Sequence, residues 1–116
     1  MDLIVHKLNV KLLDNVLAAS GNYETEPFNI QSFSLFTIHH DWTGVTNSGT
    51  KPNIEVYGSN NLNAKFVALG SLVNIEGTSA SLVNFEKAGF AYIKIVYTKN
   101  DATAGTISTY INAKVI

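Results

Sequence analysis

Ala91-Tyr92-Ile93-Lys94-Ile95-Val96-Tyr97-Thr98 is the stretch that decides the fold class. Ala91, Ile93, Ile95 and Tyr97 fall on one side, and Tyr92, Lys94, Val96 and Thr98 on the other. A repeat of two is the period of a β-strand, whose successive side chains point to opposite faces. Upstream, Ile30–Trp42 repeats the pattern at greater length. Phe36, Ile38, His40 and Trp42 share one face, and Leu35, Thr37, His39 and Asp41 the other. Downstream, Thr106–Ile116 puts Ile107, Thr109, Ile111, Ala113 and Val115 on one face.

The remaining segments fit between these. Leu3–Val10 reads as a first strand, and Lys11–Ala19 as a second strand or a short helical turn, with strand favoured. Ser20-Gly21-Asn22 turns the chain, and Tyr23–Pro27 is a polar lead-in. Thr43–Asn53, rich in Thr, Asn, Gly and Ser, reads as a loop. Asn53–Gly58 is a short strand, with Lys65–Leu69 as its hairpin partner across Ser59-Asn60-Asn61. An echo follows: Ser71-Leu72-Val73-Asn74-Ile75-Glu76 and Ser81-Leu82-Val83-Asn84-Phe85-Glu86. Two copies are too few for a stacked repeat, so they read as two similar strands around a Gly77–Ala80 turn. Asn100–Gly105 is a further turn. The expectation is an all-β, antiparallel two-sheet β-sandwich with about eight strands. The 116 residues form one domain, residues 1–30 being an added arm or edge strands.

Composition excludes several functions. Eight Lys+Arg against nine Asp+Glu leave a net charge of −1, so no basic footprint for nucleic acid exists. No apolar run reaches the roughly 20 residues of a membrane helix. The absence of cysteine rules out disulfides, thiolate metal sites and a cysteine nucleophile. No Gly-x-Ser-x-Gly elbow and no phosphate loop is present. Glu24 and Glu26 share a face, but beside Pro27 they lack the burial that tunes an acid/base pair. His39-His40-Asp41 invites a metal reading, with His6 as a further ligand. Neighbours in a strand point apart, however, and His39 on the surface with His40 half-buried is the simpler reading. A calcium site of scattered carboxylates and loop carbonyls needs no compact motif and stays open. No enzyme activity and no cofactor are expected.

Three stretches carry a family resemblance: Asp41-Trp42-Thr43-Gly44; Ile54-Glu55-Val56-Tyr57-Gly58-Ser59-Asn60-Asn61 followed by Phe66-Val67-Ala68-Leu69; and Ala88-Gly89-Phe90-Ala91-Tyr92-Ile93-Lys94-Ile95-Val96-Tyr97-Thr98. From about Phe36 to Val115 the chain resembles a small β-sandwich domain of tailed-bacteriophage virion proteins, with the general look of galactose-binding (discoidin-like) sandwiches, which implies a sandwich of jelly-roll or galactose-binding-like type. The resemblance implies a virion structural protein made in the host cytoplasm: a capsid decoration or head-associated subunit acting by assembly. Its partners would be copies of itself and other virion proteins. The alternative is a carbohydrate-binding module engaging a glycan, with a small metal-dependent enzyme as a weaker third reading.

The candidate interface residues are Leu3, Val5, Trp42, Tyr57, Tyr92, Tyr110 and Ile116. The four aromatics would also serve a sugar site by ring stacking, although Trp42 lies on the core face of its strand. Leu3–Val10, Thr106–Ile116 and the Thr43–Asn53 loop are expected to contact other copies or a capsid. The competing expectation is that the two terminal strands pair with each other inside one monomer.

Overall fold

A computed structural model describes residues 7–31, 33, 35–86 and 91–114. The strands are β1 (Lys7–Leu17), β2 (Tyr23–Glu24), β3 (Phe28–Asn29), β4 (Leu35–Asn47), β5 (Asn53–Ser59), β6 (Val67–Ala68), β7 (Val73–Asn74), β8 (Gly77–Glu86), β9 (Tyr92–Thr98) and β10 (Ala102–Lys114). All pairings are antiparallel, and no helix occurs among the described residues. The first sheet has the order β1-β10-β4-β8. The second runs β2-β9-β5-β6, with β3 also on β9 and β7 also on β5. The two sheets pack as a β-sandwich, two strands richer than expected because β2, β3, β6 and β7 are two-residue pieces.

Alternation decides what lies inside. Phe36, Ile38, Trp42, Ile107, Ile111 and Ala113 from the first sheet meet Ile54, Val56, Ile93, Ile95 and Tyr97 from the second in one core. Flat and β-branched side chains suit this pleated contact, which is why they dominate the strands. The buried Tyr97 hydroxyl donates to the Ala18 carbonyl at 2.8 Å, tying the second sheet to the end of β1. Burial, with a smaller push from Tyr23, raises that phenol to a pKa of about 12, so it stays a donor.

Several boundaries differ from the sequence reading. Leu3–Val10 and Lys11–Ala19 are not two strands where the chain is described: Lys7–Leu17 is continuous, with two breaks of register between Lys11 and Val16. Asn15, at φ 47°, accommodates the bulge; its N–H and carboxamide oxygen both engage the buried Ser108 hydroxyl. Ile30 directly follows β3 of the second sheet, its N–H bonded to the Ala91 carbonyl, and the chain changes sheets before β4 begins at Leu35. Thr43–Asn47, read as loop, extends β4 because Thr106, Ala104 and Ala102 of β10 pair with it. The echo does not form two strands around a turn. Its first copy supplies β7 on β5, and Gly77, at φ 68°, opens β8 in the other sheet. Lys65–Leu69 does return as a hairpin, through Val67 and Ala68 on Gly58 and Tyr57.

The terminal strands pair with each other, from Lys7 opposite Lys114 to Leu17 opposite Thr106. The expectation that Thr106–Ile116 would offer an unpaired edge to another copy is therefore corrected over its described part. β10 is an inner strand between β1 and β4.

Two substitutions test this packing. Ile93 is fully buried, so Ile93→Ala should lower unfolding free energy by about 2–5 kcal/mol in a denaturant titration; an unchanged midpoint would place Ile93 outside the core. At Gly105, φ is 107° and an added Cβ would sit 2.6 Å from Val45 Cα. Gly105→Ala should therefore cost on the order of 3 kcal/mol, and a neutral effect would contradict the bulged β10–β4 pairing.

Candidate assembly surfaces

The sandwich separates the residues singled out in the sequence. Trp42 is 6% exposed, and its indole N–H donates to the Glu76 carbonyl at 3.0 Å, so it is a core residue and offers no stacking face. Tyr57 and Tyr92 stand on the outer face of the second sheet, opposite Lys94 and Ser59 of the neighbouring strands. Tyr110 stands on the outer face of the first sheet. The three tyrosines thus lie on opposite sides of the domain and form no single site. Leu3, Val5 and Ile116 lie outside the described residues.

Around Tyr57, Lys94 ion-pairs with Glu24 and its ammonium sits 4.7 Å from the centre of the Phe66 ring. The adjoining groove carries Glu24, Glu26, Lys65 and Lys94. Mixed signs give it no preference for a ligand of one charge.

The first sheet's outer face is more regular. Lys11, Tyr110, His39 and Leu82 stand directly opposite one another on β1, β10, β4 and β8, forming one row across all four strands. The next row is Asn9, Asn112, Thr37 and Asn84, where the Thr37 hydroxyl donates to Asn84 Oδ1 at 2.8 Å. Tyr110, His39 and Leu82 of the first row and Asn9, Asn112 and Thr37 of the second, with Asp41, border a shallow depression of about 310 Å³. The Tyr110 ring is already engaged: Lys11 Nζ lies 5.1 Å from its centre, and the His39 ring 5.8 Å away at 47°. Together the two contacts orient the ring at its exposed position.

His39 and His40 point to opposite faces, as the strand period requires. His39 is half-exposed, whereas His40 is completely buried rather than half-buried as expected. His40 Nδ1 lies 2.9 Å from the Thr109 hydroxyl, and Nε2 meets no hydrogen-bond partner among the described residues. The cost is least when the ring carries its proton on Nδ1 and leaves a bare acceptor at Nε2. Among the described residues no group of three His, Asp or Glu converges to hold a metal ion.

The surface feature that the sequence reading missed is β8. It is the outermost strand of the first sheet, and Leu82 at its middle is 65% exposed. The nine residues Gly77–Phe85 carry no charge, a signal present in the sequence. Its meaning depends on β8 lying at an edge, which only the topology reveals.

No family model and no curated protein sequence matches the chain. Among solved structures, the SPBc2 prophage-derived protein YomS superposes with a TM-score of 0.64 at 18% identity, covering 97% of each chain. The VP2 subviral particle of infectious bursal disease virus aligns at a TM-score of 0.53 and 12% identity, over 96% of this chain and 33% of that one. The present chain spans about a third of that protein. A family 16 carbohydrate-binding module aligns at a TM-score of 0.49 and 13% identity, over 85% of this chain and 70% of that one, a likeness too slight to bear on sugar binding. At these identities the first two likenesses establish a shared fold.

The buried imidazole makes stability depend on pH. Burial, aided by neighbouring His39, lowers the His40 pKa from 6.5 to about 4. A depressed histidine keeps the native state neutral, so its full contribution is present above pH 6.5 and is lost as pH falls towards 4. Between pH 7 and 4.5 the loss should be roughly 2–3 kcal/mol. Urea titrations of wild type and His40→Leu at both pH values check this. The variant's decline should be shallower by that amount, and parallel declines would contradict a neutral buried His40.

Proposed function

We propose that this chain is a structural subunit of a tailed-phage particle, a capsid decoration or head-associated protein, which acts by assembly rather than by catalysis. The observation that carries the reading is the end-to-end correspondence with a prophage-derived protein, 97% of each chain in one β-sandwich. The VP2 superposition supports the same reading, since a comparable sandwich serves there within a viral particle. The partners are then further copies of this chain and other virion proteins, and its place is the virion, following synthesis in the host cytoplasm.

A glycan-binding role is the second reading. It draws on the depression bordered by Asn9, Thr37, Asp41 and Tyr110, where amide, hydroxyl and carboxylate groups adjoin an aromatic ring. Its weakness is that Lys11 and His39 already flank that ring.

Particles produced from the genome that encodes the chain, banded on a density gradient, test the first reading. The chain should co-band with the major shell protein at a fixed molar ratio that survives repeated banding. Its absence from banded particles would contradict the proposal. Binding to a glycan array, abolished by Tyr110→Ala, would favour the second reading.

A further inference from the structure

An edge strand presents a row of unpaired backbone N–H and C=O groups, which proteins blunt with charge, proline, bulges or brevity. Three edges of this sandwich carry such devices. β1 has Lys11 and Asp14 and two breaks of register. β2 and β6 are two residues long. β8 differs from them all. It is ten residues long, pairs with β4 in unbroken register from Glu86 to Ser79, and contains no proline. It carries no charge before Glu86, and Leu82 is more exposed than any other large hydrophobic among the described residues.

We infer that β8 pairs antiparallel with β8 of a second copy, about a two-fold axis at Leu82, joining two four-stranded sheets into one of eight. This names the contact through which the assembly proposed above proceeds, and it rests on that reading. The register follows from the pleat. Opposed residues of an antiparallel pair point to the same side of the sheet, so the outward residues Ala80, Leu82 and Asn84 must meet outward residues of the other copy. An axis at Leu82 sets Leu82 against Leu82, Ala80 against Asn84, Ser81 against Val83, and Thr78 against Glu86. No like charges oppose one another, and the two exposed leucines cover each other. A slip of two residues sets Leu82 against Ala80 or Asn84 and loses that contact. A two-fold pair also closes on itself, consuming both β8 edges and leaving none to propagate a fibre.

Sedimentation and cross-linking of the purified chain test the contact. Wild type should sediment as a dimer at tens of micromolar. Leu82→Lys should shift it to monomer, while Leu17→Lys, at a similarly exposed position on β1, should leave the dimer intact. The chain has no cysteine, so single thiols report the register. Leu82→Cys should cross-link to itself through a short thiol reagent, because opposed Cβ atoms lie about 5 Å apart. Ala80→Cys should cross-link to Asn84→Cys in a mixture, and neither should do so efficiently alone. A monomeric wild type, a dimer that survives Leu82→Lys, or self-linking of Ala80→Cys in preference to Leu82→Cys would overturn the inference. A Leu82-dependent dimer that never joins particles refutes the particle role and leaves the β8 contact standing. A chain found in particles whose Leu82→Cys form does not cross-link refutes the β8 contact alone.

Discussion

The register of β10 against β4 is the constraint from which the rest of the domain follows. Ile111 opposite Ile38 and Ala113 opposite Phe36 turn the apolar side chains of both strands inward. A slip of one residue would send Ile107, Ile111 and Ala113 to solvent and bring Tyr110 and Asn112 into the core. Because β1 and β8 are laid on the outside of this pair, their faces inherit the same register. The row Lys11, Tyr110, His39, Leu82 is a consequence of it, as is the burial of His40 beside Thr109.

Much of this was legible in the chain because period-two alternation is a local property. Phe36, Ile38, His40 and Trp42 could be assigned one face, and Ala91, Ile93, Ile95 and Tyr97 another, without knowing what lay opposite. Trp42 was recognisable as a core residue for the same reason. Thr43–Asn47 was not legible as strand. Its Thr, Asn and Gly content favours turns, and only pairing with Ala102–Thr106 across the sheet overrides that preference. The echo misled because two similar segments can lie in different sheets once a glycine at φ 68° turns the chain between them.

Neighbour relations were the least accessible layer. Nothing local states that the first and last strands meet, or that β8 rather than β10 ends its sheet. The candidate interface residues are dispersed accordingly: Trp42 lies inside, and Tyr57 and Tyr92 lie on the outer face of the second sheet, away from Tyr110 on the first. The residue with most to offer a partner, Leu82, lay in a stretch that looked like half of a repeat. What marks it is the combination of an uncharged strand, an edge position and a 65% exposed leucine, of which only the first can be read from sequence.

The central claim, that β10 is an inner strand and β8 an open edge, is tested most directly by residue-resolved amide hydrogen exchange. Residues 106–114 of β10 should be protected at consecutive positions, since both sides of the strand are hydrogen-bonded. β8 should show protection at alternate residues in dilute solution, becoming continuous as concentration rises. Rapid exchange at alternate residues of β10, with continuous protection of β8 in dilute solution, would contradict the account.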